Sequence, residues 1–326
     1  MSDAPEKSRA RLLAEVEELL LPTLVPKIAD QLWPLFLERL QADKPWKKNV
    51  FVPDLEVYAL APESDFMSFS TCNARDFLHP EYKRIIDMMM FPRLFHRKFW
   101  EFVFIFHHIS QELDLSGKRG LGFGVGKEPL AAAFAKHGAQ VMATDAPESI
   151  AVGDGWVGTG QFATGVDALI YAGIVDRAEF NRQVSFREVD MNDIPPDLTD
   201  YDFCWSSCCL EHLGDLDKGL AFIINSVERT LKVGGIACHT TEFNLSSNEQ
   251  TIETGPSVLY RRKDIEALSR ELRTRGHEVW DFRVAPDSVA IDGYVDTPPF
   301  SQVPHLKLDI GGFACTSAGI VVRRGL

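Results

Sequence analysis

Apolar residues recur at helical spacing through Leu12, Leu13, Val16, Leu19 and Leu20, with charges between them, so Ser8–Gln41 reads as helical. Pro22, Pro26 and Pro34 interrupt the pattern and predict two or three short helices instead of one rod. Ala42–Asp76 is mixed and dotted with proline, which predicts irregular chain with a short strand near Val50–Val52. A second helical block runs from His79 to about Leu113. It carries Phe95-His96-Arg97-Lys98-Phe99-Trp100-Glu101 and an aromatic run to Phe106. Those aromatics predict a core face packed on the domain that follows.

From Arg119 the period changes. Short apolar runs alternate with amphipathic ones, predicting strands at Gly120–Gly122, Gln140–Thr144, Val184–Glu188, Asp202–Ser206, Gly235–Thr240, Glu278–Arg283 and Phe313–Val322. Helices are expected near Pro129–Lys136, Gly165–Ala172, Leu216–Leu231 and Lys263–Arg275. This alternation argues for an α/β sheet with helices on both faces. The expected organisation is a helical region over 1–115 that caps the acceptor side, then a sheet domain over 116–326 with insertions near 146–164 and 285–312. The second insertion, which holds Tyr294, Phe300 and His305, is long enough to act as a lid over an acceptor.

A chain of 326 residues with 45% hydrophobic and 25% charged residues can bury a full core, which excludes wholesale disorder. The net charge of −13 disfavours a phosphate backbone or an anionic membrane as partner. The longest apolar stretches, such as Phe102–Phe106, are far too short to span a bilayer, and no secretory signal opens the sequence. The six cysteines form no C-x-x-C pair, so buried free thiols in a reducing cytoplasm are expected.

The densest local signal is Gly120-Leu-Gly122-Phe-Gly124-Val-Gly126-Lys-Glu128-Pro129. Glycines at alternate positions after a strand let the backbone turn sharply and let a ligand approach where a Cβ would block it. A Walker-type phosphate loop is excluded, because Gly126-Lys127 is followed by Glu128. Asp145 ends the next strand, 19 residues beyond Gly126, where an acid can accept hydrogen bonds from ribose hydroxyls. Asp190-Met191-Asn192 closes a later strand, within reach of an adenine amino group.

With these pieces in this order, the stretch from Arg119 to Arg324 resembles the class I S-adenosylmethionine-dependent methyltransferases. Tyr201-Asp202-Phe203, the turn Leu231-Lys232-Val233-Gly234-Gly235 and the closing Cys315–Arg324 segment add to the likeness. His96-Arg97-Lys98 and Pro304-His305-Leu306 extend it toward bacterial members associated with glycan and secondary-metabolite pathways. The resemblance implies a Rossmann-like, seven-stranded, mostly parallel sheet. It implies S-adenosylmethionine as cofactor, held by Gly122, Gly124, Gly126, Asp145, Asp190, Met191 and Asn192. The family usually carries an acid two residues before the first loop glycine; Gly120 stands there, and Glu128 is the substitute for holding the methionine ammonium.

Methyl transfer needs positioning, and a base where the nucleophile is a hydroxyl. His212, His239 and Glu242 stand at the ends of the fourth and fifth strands and are the expected catalytic groups. Glu211-His212 with Glu242-Phe243-Asn244 also resembles the metal-dependent methyltransferases of small-RNA 2′-hydroxyls, which implies a divalent metal at Glu211, His212 and Glu242; Cys208 replaces the first acid of that family's run. His96, Arg97 and Lys98 are candidates for contact with an anionic acceptor, or for a solvated helix face. The expected reaction is O-methylation of a sugar-containing or other polar small molecule. RNA 2′-O-methylation and a non-catalytic scaffold with a lapsed cofactor site remain as alternatives.

Overall fold

The chain divides into two compact units, Met1–Phe51 and Val52–Leu326. The structure, a computed structural model, describes residues 54–55, 57–148, 150, 162–301 and 303–326, all in the second unit. The helices expected over Ser8–Gln41 and the strand near Val50–Val52 lie outside the described residues. The boundary expected near residue 115 falls inside the second unit, where the helical block at 79–113 sits with the sheet.

That block forms two helices, α1 (Pro80–Met88) and α2 (Arg97–Glu112). Each is opened by a histidine cap: His79 Nδ1 accepts from the Glu81 amide and His96 Nδ1 from the Lys98 amide. Pro92 lies in the break between them. Helix α2 is buried nearly all round its length, through Trp100, Phe102, Val103, Phe104, Ile105, Phe106 and Ile109. Gly319 allows this docking, since a Cβ there would lie 2.0 Å from the Phe104 ring.

The sheet runs β1 (Arg119–Phe123), β2 (Gln140–Asp145), β3 (Val184–Glu188), β4 (Tyr201–Ser207), β5 (Leu231–Asn244), β6 (Glu278–Val279), β7 (Val295–Asp296), β8 (Lys307–Ile310) and β9 (Phe313–Arg323). Its order is β3-β2-β1-β4-β5-β9-β8-β7, with β6 pairing the end of β9. Strands β1 to β5 are parallel, and β9 runs antiparallel to β5 from Ile236↔Arg323 to Asn244↔Cys315. The order reverses between β1 and β4, so the carboxyl ends of these two strands frame the switch-point crevice where open α/β sheets bind ligands. This is a Rossmann-like α/β fold with an antiparallel strand beside β5.

Helices α3 (Leu130–Lys136), α4 (Arg177–Gln183), α5 (Leu216–Asn225) and α6 (Arg262–Thr274) complete the layers. Three details differ from the sequence reading. The insertion at 285–312 adds the short strands β7 and β8, so nine strands form where seven were expected. The helix expected at 165–172 is only a turn over Val166–Leu169, and α4 follows instead, capped by Asp176 accepting from the Glu179 amide at 3.0 Å. Strand β5 runs four residues past Thr240, because Thr241–Asn244 pair with Cys315–Ala318 of β9. Asp202 ties the strand starts together, accepting from the Arg119 amide (2.8 Å) and from Lys232 (3.1 Å). All six cysteines are free thiols. No helix among the described residues is long and apolar enough to cross a membrane.

Candidate functional site

A cavity of about 550 Å³ opens at the switch point, within the range of small-molecule sites. Its lining includes Gly124, Gly126, Glu128, Asp145 and Asp190-Met191-Asn192, together with His96-Arg97-Lys98 around the start of α2 and His305. Cys208, Glu211, His212 and Glu242 also line it, at or just beyond the ends of β4 and β5.

The glycines divide by task. Gly124 and Gly126 take φ of +56° and +50°, which L side chains rarely adopt, and line the cavity. A Cβ on Gly124 would press on Cys209 at 2.9 Å. Gly122, expected to touch cofactor, does not line the cavity: a Cβ there would lie 2.4 Å from the fully buried Trp205 ring. Its role is close packing of β1 against the side chains of β4. We expect Gly122→Ala to destabilise the protein by about 1–3 kcal/mol through overpacking, measured by urea unfolding.

Asp145 braces the loop. Its carboxylate accepts from the amides of Gly126 (3.1 Å), Ala163 (3.1 Å) and Ala146 (2.9 Å). Burial raises its pKa against those three bonds. Asp190 forms a tight turn by accepting from the Asn192 amide at 2.8 Å. Glu128 is buried, pairs with Lys98 at 3.0 Å through one oxygen, and its other oxygen is buried without a hydrogen-bond partner. Burial pushes its carboxyl up to about 7, against the pull of Lys98.

A charge network extends from the cavity's Arg97, Lys98, Glu128 and Glu242 to the fully buried Glu101 of α2. Its carboxylate meets Arg97 (3.4 Å) and Lys98 (3.3 Å) and accepts from Ser207 (3.0 Å), Cys208 (3.1 Å), Thr240 (3.2 Å) and Ser317 (2.5 Å). Burial raises the Glu101 pKa, but Lys98, Arg97 and these donors outweigh it and hold the carboxyl below its ordinary value. Arg97 reaches on to Glu242 at 2.5 Å. Arg97 and Lys98 are thus engaged by carboxylates inside the cavity. The solvated helix face is not what forms. Their spacing to Glu101, four and three residues, is a signal the sequence carried.

The expected catalytic trio does not assemble. His239 is fully buried in the core. Ser226 donates its hydroxyl to the Ile223 carbonyl (2.8 Å), so it accepts from His239 Nε2 (3.0 Å), and His239 Nδ1 accepts from Ser206 (2.8 Å). Burial drives this imidazole down to about 3, which fixes it neutral. The reason is the pleat: residues 239 and 241 point toward Ser226 and Glu211, while 240 and 242 point toward α2. His239 and Glu242, three apart on one strand, cannot share a face. His212 does line the cavity, donating Nδ1–H to the Pro256 carbonyl at 2.7 Å.

For a divalent metal, the structure brings Cys208 together with Glu211 and Glu242, their ligand atoms within 4.8 Å, and leaves His212 out of the set. His212 Nε2 is 3.9 Å from Glu211. Arg97 already supplies the positive charge there, at 2.5 Å from Glu242 and 3.5 Å from the Cys208 sulfur. A resident cation would have to displace a guanidinium held by two carboxylates. The donor set does not fit one, and we derive no step through a metal.

No protein-family model and no curated protein sequence matches this chain. Solved structures align with parts of it at low identity. Magnesium protoporphyrin IX methyltransferase from Synechocystis PCC 6803, with bound S-adenosylhomocysteine, is 13% identical; the match covers 75% of this chain and 93% of that one at a TM-score of 0.43. The DhpI–S-adenosylhomocysteine complex is 14% identical over 68% and 82% of the two chains, at 0.39. The [4+2]-cyclase SpnF is 20% identical over 54% and 57%, at 0.38. At these values the likeness does not reach the reaction.

Proposed function

We propose that the protein is an S-adenosylmethionine-dependent methyltransferase acting on a hydroxyl of a sugar-containing or other polar small molecule. One observation carries the reading: the Gly124–Gly126 cradle, Asp145 and Asp190-Met191-Asn192 converge on a single cavity at the switch point. The cofactor's sulfonium would supply an activated methyl group. Asp145 would hold its ribose hydroxyls, Asp190 to Asn192 its base, and the unpartnered oxygen of buried Glu128 its ammonium. The remaining space beside His96, His212, His305 and the rings of Phe91, Phe99 and Phe102 would take the acceptor.

The pairing of the cavity's cations favours a small molecule over RNA. Arg97 is engaged by Glu101 and Glu242, and Lys98 by Glu101 and Glu128, so neither is set out for a phosphate backbone. Titration of S-adenosylhomocysteine into metal-stripped protein tests the reading. Micromolar binding is expected, weakened about tenfold or more by Asp145→Ala. Absence of binding to folded protein would overturn it and leave the glycine loop as architecture.

A further inference from the structure

The insertion at 285–312 brings His305 to the cavity. We infer that His305 is the base that takes the proton from the acceptor hydroxyl, with Asp296 as its positioning residue. This rests on the methyl-transfer reading above.

The geometry is that of an oriented imidazole. His305 Nδ1 lies 2.7 Å from Asp296 Oδ2, and the same carboxylate accepts from the Ser301 amide (2.7 Å) and the Ser301 hydroxyl (3.1 Å). Asp296 is buried, so its carboxylate is fixed in place by donors from its own loop. The loop is in turn fixed to α2. The His305 amide donates to the Phe95 carbonyl (2.8 Å), and the Arg97 amide donates to the His305 carbonyl (2.9 Å). The ring lies between His96 and Phe300, with centroids at 4.7 and 5.7 Å, and lines the cavity.

A carboxylate on Nδ1 selects the tautomer whose Nε2 carries the lone pair, and stabilises the imidazolium once a proton arrives. Nε2 of His305 makes no hydrogen bond among the described residues. At the other two cavity histidines Nδ1 meets backbone: His212 Nδ1 donates to the Pro256 carbonyl, and His96 Nδ1 accepts from the Lys98 amide. In the step itself, His305 Nε2 takes the hydroxyl proton while an oxygen electron pair forms the new O–CH₃ bond. The C–S bonding pair returns to sulfur, leaving a neutral thioether. The positive charge thus moves from sulfur to the imidazolium beside Asp296.

Two measurements on the full chain test this, only one of them activity. In long-range ¹H–¹⁵N spectra of protein labelled at histidine side chains, with His305 assigned by its loss in His305→Gln, the Nδ1–H tautomer is expected. Asp296→Asn is expected to shift it toward Nε2–H. An Nε2–H tautomer in the unmodified protein would overturn the proposal, and a His305→Gln spectrum that keeps every other histidine signal shows that the variant used for assignment is folded. In the second, methyl-labelled S-adenosylmethionine is incubated with a metabolite extract. His305→Gln is expected to lower the rate of labelling by about 100-fold or more while leaving S-adenosylhomocysteine affinity unchanged. Labelling at the original rate would overturn the base role. If the unmodified protein binds S-adenosylhomocysteine but labels nothing, methyl transfer fails and the base role fails with it, whereas the expected tautomer would still establish the Asp296–His305 pair.

Discussion

Glu101→Ala is expected to lower folding stability by about 3–5 kcal/mol, the largest effect of any single substitution considered for this protein. The carboxylate is fully buried and meets two cations and four neutral donors drawn from α2, β4, β5 and β9. Removing it leaves Arg97 only Glu242, and Lys98 only Glu128, as carboxylate partners. Four donors from Ser207, Cys208, Thr240 and Ser317 lose an acceptor where water does not replace it. Urea unfolding at neutral pH measures the loss, and Glu101→Gln should fall between the two, since it keeps acceptor capacity without charge. A loss below about 1 kcal/mol would mean that Glu242 and Glu128 suffice to compensate both cations.

The second large effect is on pH dependence, where two sets of buried groups act with opposite sign. Burial pushes His96 and His107 down to about 4, and His108 and His239 down to about 3. The unfolded chain therefore binds protons that the native state refuses. The stability these histidines contribute is full above their ordinary value near 6.5 and is lost as pH falls, at about 1.4 kcal/mol per pH unit for each proton. Burial also pushes Asp76 up to about 6 and Glu128 up to about 7, and raises Glu211 and Glu242. For these acids the native state binds the extra proton, so their contribution is full at low pH and is lost as pH rises through the native values.

Between about pH 5 and 6.5 the two sets oppose each other, and stability is expected to be nearly flat. Below about pH 4.5 the unfolded chain's acids take up protons too, so their opposition fades while the histidines still titrate. Glu101, with its lowered value, adds to the loss. A fall of more than about 3 kcal/mol is expected from there to pH 3. Above about 6.5 only the acids titrate, and a shallower fall of about 1–2 kcal/mol is expected by pH 8. Urea unfolding across this range measures the curve, and Glu128→Gln should flatten its alkaline side. A stability that rises steadily from pH 5 to 8 would contradict the assignment of the buried acids.

The strands were legible because each combines short-range signals, an apolar run with a turn at its end. Six of the seven expected strands form over most of their length, while the one expected at Glu278–Arg283 keeps only Glu278–Val279; Asp145, Asp190, Met191 and Asn192 reach the cavity with the turn at Gly124–Gly126. The error over His239 came from ending strand five at Thr240. Had the strand been carried to Asn244, alternation alone would have put His239 and Glu242 on opposite faces. Helix α4 also had a readable start, Asp176 three residues before Glu179, but the apolar run over Val166–Ile170 drew the helix too early.

What the sequence determined by itself is the alternation of strands and helices, the turn chemistry of the glycine loop and the acids at strand ends, because all three depend on neighbours a few residues away. What only the tertiary structure decided is which polar side chains share the cavity. The docking of α2 brings Arg97 to Glu242, and Glu101 to Ser317, through contacts 145 and 216 residues apart in the chain. The same docking, with the bridge from His96 to His305, turns a lid histidine into a cavity histidine beside Asp296. Packing gives Gly122 to Trp205 and leaves the ligand-facing turn to Gly124 and Gly126. Such pairings follow from sheet register and helix packing, and no local pattern of hydrophobic and polar residues specifies them.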